Sequence, residues 1–158
     1  MCRENTQNPP PVINLMFKYE GQLNLPGVEN DRHRIQEINR RLYGSEGTLF
    51  HDDFFKPSSD QTDTLQRQPI DSPEGINNFL ELKKEAFLLE LQKSIEGNDN
   101  RPVLNYSGHG TRCIDDNNRI IWCIMLPIPS QILRKKLIDS NACQENEFYS
   151  LKLCPRFW

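Results

Sequence analysis

Val103-Leu104-Asn105-Tyr106-Ser107-Gly108-His109-Gly110 runs from a short apolar segment straight into a histidine with glycine on either side. The first four residues suit a strand, and the Ser-Gly-His-Gly that follows is turn chemistry. In α/β sheets the carboxyl ends of strands present loop side chains without disturbing the ladder, so His109 stands where sites are built. Gly108 and Gly110 let the backbone turn sharply and leave the Gly110 N–H free to approach a ligand. A histidine so placed is suited to general-base work near neutral pH. The plain alternative is a tight turn carrying a surface histidine.

Upstream, Ser72-Pro73-Glu74 reads as a helix start: a capping serine, a proline at the first helical position and an acid against the dipole. Ile76, Phe79, Leu80, Phe87, Leu91 and Ile95 follow on one face, and Gly97 closes the helix. Further back, Val12-Ile13-Asn14-Leu15-Met16-Phe17 suits a strand buried on both faces. A turn-rich connection spans Gly21 to Gly27. Val28, Ile35, Ile38 and Leu42 then make one stripe of an amphipathic helix that ends at Gly44. Thr48-Leu49-Phe50 suits a second short strand, and residues 51–71, poor in apolar side chains, read as a long flexible loop.

Downstream, residues 120–125 suit another strand and 130–138 a shorter helix. Residues 148–153 suit a last strand ending at Cys154. This alternation predicts an α/β fold, a three-layer sandwich with a mostly parallel sheet, over residues 12–158. Residues 1–11, ending in Pro9-Pro10-Pro11, read as a disordered lead-in.

The 158 residues fit one domain, and at 36% apolar the core is modest. A net charge of −3 with no basic block longer than two residues argues against a nucleic-acid binder. The apolar runs fall far short of the ~20 residues of a membrane helix, so no membrane partner is expected. Five cysteines without a CxxC pair argue against a disulfide framework. No apolar signal core follows Arg3, which points to the cytoplasm.

The segment 103–110, VLNYSGHG, resembles the histidine motif of caspase-like cysteine peptidases: caspases, metacaspases, gingipain-type and CHAT proteases, and the self-cleaving cysteine domains of bacterial toxins. Leu25-Pro26-Gly27-Val28-Glu29-Asn30-Asp31, opening a helix after a buried strand, is similar to the L-x-G-x-x-N-D segment of metacaspases. The two matches occur in the family's order. The resemblance implies a cysteine endopeptidase with a Cys-His dyad, a protein or peptide substrate, and the nucleophile at the end of the next parallel strand. A lone imidazole suits a thiol, which it readily holds as thiolate.

Cys154 lies 45 residues after His109 and ends an apolar stretch, as the family pattern implies; Cys143, 34 residues after His109 in Ser-Asn-Ala-Cys-Gln, is the alternative nucleophile. The oxyanion donors implied are the N–H groups of Gly110 and Cys154. Lys152, two before Cys154, and Pro155-Arg156-Phe157-Trp158 after it depart from the Asp or small residue shortly before, and the Gly shortly after, that family nucleophiles commonly have. The likeness spans the part of a caspase-like domain up to the nucleophile, without the later strands that complete a substrate pocket. The rival is a non-catalytic relative, either a fragment or a partner-binding decoy, and a third, weaker reading is a small metal-binding α/β protein.

No cofactor is implied, apart from the Ca²⁺ that some metacaspases use. Residues 115–118 and 51–53 hold oxygen ligands that acidic loops usually leave solvated. His109, Cys113 and Cys123 could supply three zinc ligands, but without regular spacing. Trp122 and Trp158 read as packing residues.

Overall fold

The computed structural model describes residues 8–57, 72–114, 117–129 and 150–152. In chain order the elements are β1 (Val12–Met16), α1 (Val28–Tyr43), β2 (Thr48–His51), α2 (Pro73–Ile95), β3 (Val103–Ser107), β4 (Gly110–Ile114), β5 (Ile120–Met125) and β6 (Ser150–Lys152). Short 3₁₀ turns occupy Gly21–Leu23 and Asp52–Phe55.

β1 lies between β2 and β3, and both pairings are parallel. Every β1 residue is buried, as expected for a central parallel strand covered on both faces. Ile13, Leu15 and the following Phe17 face one layer, where they join Ile76, Phe79, Leu80 and Phe87 of α2. Asn14 faces the other, where it meets Asn39 of α1. The chain is thus α/β, with one helix on each side of a three-stranded parallel sheet. α2 begins as its sequence predicts, with Ser72 Oγ accepting the Gly75 N–H at 3.1 Å. α1 stops at Gly44, whose φ of 70° is the left-handed conformation that glycine takes without a Cβ penalty.

Five expectations change. The sheet does not continue beyond β3 as one mostly parallel array, because β4, β5 and β6 form a second, antiparallel sheet in that order. The cause is loop length. Only Gly108 and His109 separate β3 from β4, and five residues separate β4 from β5, too few for the crossover that a parallel neighbour needs. Ser150–Lys152, the described part of the strand expected at 148–153, pairs with β5 and not with β3.

Residues 51–57, expected within the long loop, are also built in. Phe55 is fully buried, 5.6 Å from the Phe17 ring and 5.5 Å from that of Phe87. In α1 the buried residue of the second half is Asn39, while Ile38 and Leu42 of the apolar stripe are exposed. At the amino end, residues 8–11 are tied down, with the Pro9 and Pro11 carbonyls accepting from Asn98 Nδ2 at 3.0 Å and the Val103 N–H at 2.8 Å. Residues 1–7 and 58–71 and the helix expected at 130–138 lie outside the described residues. No helix among those described is long and apolar enough to cross a membrane.

Candidate functional site

His109 leaves the carboxyl end of β3, beside the carboxyl end of β1, and three segments fix it. Its Nε2 lies 2.7 Å from the carbonyl of Leu23. A carbonyl only accepts, so Nε2 carries the proton of the neutral ring and Nδ1 is the basic nitrogen. Its N–H donates to Tyr19 Oη at 2.9 Å, and its carbonyl accepts from the Met125 N–H at 3.0 Å and from the Tyr106 hydroxyl. The backbone of residue 109 is therefore saturated, while among the described residues no group is bonded to Nδ1 of the imidazole.

Tyr19 is the hub of this arrangement. Its hydroxyl takes the His109 N–H and donates to the Met125 carbonyl at 2.7 Å, and its ring lies 4.7 Å from the imidazole, tilted by 51°. Burial, followed by the contact with the Tyr106 hydroxyl, pushes the Tyr19 phenol far above its ordinary range, so it stays a neutral donor. The residue adopts φ 61°, uncommon without glycine. The turn that carries it is held by Asp52, just past β2, whose two carboxylate oxygens accept the N–H groups of Lys18 and Tyr19 at 2.7 Å each.

The two segments that carry the family resemblance meet. Ser107 Oγ donates to Asp31 Oδ2 at 2.8 Å, joining the first turn of α1 to the end of β3. Deeper in the same layer, Asn39 Nδ2 donates to Asn14 Oδ1 at 2.9 Å and to the Glu46 carbonyl at 3.3 Å. Asn105 Nδ2 donates to Asn14 Oδ1 at 3.0 Å, so one side chain from each of α1, β1 and β3 shares the network. Gly108 is needed for room and not for its φ. A Cβ there would stand 2.6 Å from Tyr106 Oη.

Gly110, the expected oxyanion donor, opens β4. Because Met125 donates to the His109 carbonyl, the neighbouring Gly110–Ile124 pair is a non-hydrogen-bonded one, and the Gly110 N–H points away from β5. Cys154 and Cys143 lie outside the described residues. Cys113 and Cys123 lie on β4 and β5, and Cys123 is buried. Among the described residues no three His, Cys, Asp or Glu side chains converge as a metal ion requires. Of the acids weighed for Ca²⁺, Asp52 is spent on backbone amides and Asp53 pairs with Lys56 at 2.6 Å, while Asp115 and Asp116 fall outside the described residues.

Trp122, expected to pack, is instead exposed, with the Arg112 guanidinium 5.1 Å from its ring. A cavity of about 480 Å³ opens at the ends of β1 and β2 and shares Tyr19 with the histidine site. His109 is not among the described residues that line it. Tyr19 and the Leu23 carbonyl had no sequence signal, and Asp52 was weighed only as an oxygen ligand, since their roles come from where an irregular turn carries them. Comparison with protein-family models, with curated proteins and with solved structures yields no match to this chain.

Proposed function

We propose that the chain is a caspase-like cysteine endopeptidase, with His109 as base and Cys154 as nucleophile. The observation that supports this most is the anchoring of Nε2 on the Leu23 carbonyl. It leaves Nδ1 as the proton acceptor on a ring that cannot swing freely, at the strand end where the family resemblance expects it. In the reaction, Nδ1 takes the Cys154 proton as Sγ attacks the peptide carbonyl carbon. The developing oxyanion is met by the N–H groups of Gly110 and Cys154. The imidazolium then protonates the departing amine, and water cleaves the thioester with Nδ1 again the base. Asp31 and Ser107 hold the β3 end on α1. A reducing, cytoplasmic setting would keep the thiol free.

One observation favours the rival reading of a non-catalytic, partner-binding relative. The Ser150–Lys152 segment just before Cys154 is the outer strand of the antiparallel sheet and not a neighbour of β3. Iodoacetamide labelling of the full chain separates the two. An ordinary thiol of pKa ~8.5 is only about 3% thiolate at pH 7, so pairing with His109 should raise the Cys154 rate several-fold over that of Cys2. His109→Ala should remove the advantage. If Cys143 is the residue that gains, the nucleophile is reassigned. Equal rates for all three, with no cleavage of a mixed peptide library, would establish the non-catalytic reading.

A further inference from the structure

We infer that Asp52 is a positioning residue for His109, acting through the turn at residues 18–23. This rests on the reading of His109 as the site's base. From sequence, His51-Asp52-Asp53 is an acidic stretch of a solvated loop. The structure places Asp52 at the end of β2, one strand beyond β1, with its carboxylate reaching back to the point where the chain leaves β1. Both oxygens are used, one on the Lys18 N–H and one on the Tyr19 N–H, at 2.7 Å each.

Two consecutive amides captured by one carboxylate fix the direction in which the chain leaves β1, and charge-assisted bonds of this kind are roughly twice as strong as neutral ones. They also hold Tyr19 in a left-handed conformation that a non-glycine residue adopts only when its surroundings over-determine it. The turn so fixed touches the histidine three times. The Tyr19 hydroxyl takes the His109 N–H, the Tyr19 ring lies against the imidazole, and the Leu23 carbonyl takes the Nε2 proton. Asp52 itself does not touch the imidazole, so its effect reaches the ring only through this turn.

Asp53 supplies the control. It is adjacent and acidic, but it pairs with Lys56 and accepts neither amide. Asparagine at position 52 offers a single acceptor oxygen and turns an NH₂ toward the second amide. Asp52→Asn should therefore release one of the two N–H groups and loosen the turn, whereas Asp53→Asn should leave it in place.

The test is NMR of the full chain, labelled with ¹⁵N, which has only three histidines. His109 is assigned by His109→Gln, and His33, exposed on α1, serves as reference. In the unaltered chain the neutral His109 ring should be the Nε2–H tautomer, with a cross-peak between the Tyr19 and His109 rings. Asp52→Asn should lose that cross-peak and show the second tautomer, while Asp53→Asn keeps both features and β1–β3 amide shifts confirm the fold. Should Asp52→Asn not fold, Asp52→Ser, which keeps one short acceptor, carries the same expectation.

An unchanged ring signature in Asp52→Asn, or an equal change in Asp53→Asn, would overturn the inference. Because the readout needs neither a thiol nor peptide cleavage, failure of the peptidase reading is scored separately. A ring that responds to Asp52 in a chain that never cleaves peptide leaves the positioning role standing and removes only the proposed reaction.

Discussion

Asn39→Asp exchanges one NH₂ for an oxygen at nearly constant volume, yet it should be among the most destabilising changes in α1. Asn39 is 2% exposed, and its Nδ2 is surrounded by acceptors, Asn14 Oδ1 at 2.9 Å and the Glu46 carbonyl at 3.3 Å. A carboxylate there loses two donated bonds, each with a net worth of about 0.5–1.5 kcal/mol, and sets a buried charge against two oxygens. The chain can escape the charge only by protonating the group. From an ordinary carboxyl pKa of 3.9 that costs about 4 kcal/mol at pH 7, which bounds the electrostatic penalty. The protonated acid still donates one bond, so the loss should be about 3–4 kcal/mol at pH 7 and about 1 kcal/mol at pH 4.

The sign follows from linkage: the folded-state pKa lies above the unfolded one, so the variant's deficit grows as pH rises through that window. Urea titrations of both proteins at the two pH values measure it. With a slope between about 1 and 3 kcal/mol/M, the midpoint difference at pH 7 should be about 2 M. A difference that is equal at pH 4 and pH 7 would refute the assigned direction of the asparagine bonds, and with it the account of how α1 is held on the sheet.

Phe87→Ala removes a fully buried ring lying within 6.4 Å, centroid to centroid, of Phe17, Phe50, Phe54 and Phe55, and should cost about 3–5 kcal/mol. Calorimetry should then show Tm lower by roughly 10 °C, and a drop of only one or two degrees would count against this cluster as the centre of the core. Tyr19→Phe bears on alkaline stability, because burial raises the Tyr19 and Tyr106 phenols above their unfolded value near 10. Above that pH the unfolded chain ionises first, so each tyrosine should take away about 1.4 kcal/mol of stability per pH unit. Urea midpoints at pH 9 and pH 11 should converge more closely in Tyr19→Phe than in the unaltered chain, and parallel behaviour would contradict the burial of that hydroxyl.

Where local chemistry and period agree, the sequence was a good guide. Ser72-Pro73 starts α2 and Gly44 ends α1 because caps are decided by a residue and its immediate neighbours. β1 was legible because a central parallel strand needs apolar residues on both faces. Phe54 and Phe55 were not, since two aromatic residues among acids carry neither a helical nor a strand period; only Phe17, Phe50 and Phe87, brought close by the fold, make them core. The stripe of α1 misled for a related reason. Its inner face is set by the Asn14–Asn39–Asn105 network, and a buried amide looks like a surface residue until its partners are known. His109 could be placed at a strand end, whereas the groups that hold it come from a turn 86 residues earlier in the case of Leu23.

The outer edge of β3 is where the two readings of this chain part. Val103 donates to Pro11 and the Ser107 carbonyl accepts from Phe17, so odd-numbered residues point their backbone groups at β1. Leu104 and Tyr106 then direct theirs outward, and no described strand pairs with them. All five β3 residues are half-buried, against five fully buried in β1, which is the difference between an edge and a centre. The stretch carries no Lys, no Pro and no bulge, the usual means of keeping such an edge from pairing. A nucleophile delivered to Nδ1 in the family's manner must ride on a parallel strand laid along this edge, because only that direction ends beside His109. A strand held in the antiparallel sheet by β5 does not meet that condition. For the peptidase reading, protection of the Leu104 and Tyr106 amides from exchange is therefore as direct a criterion as the reactivity of the thiol.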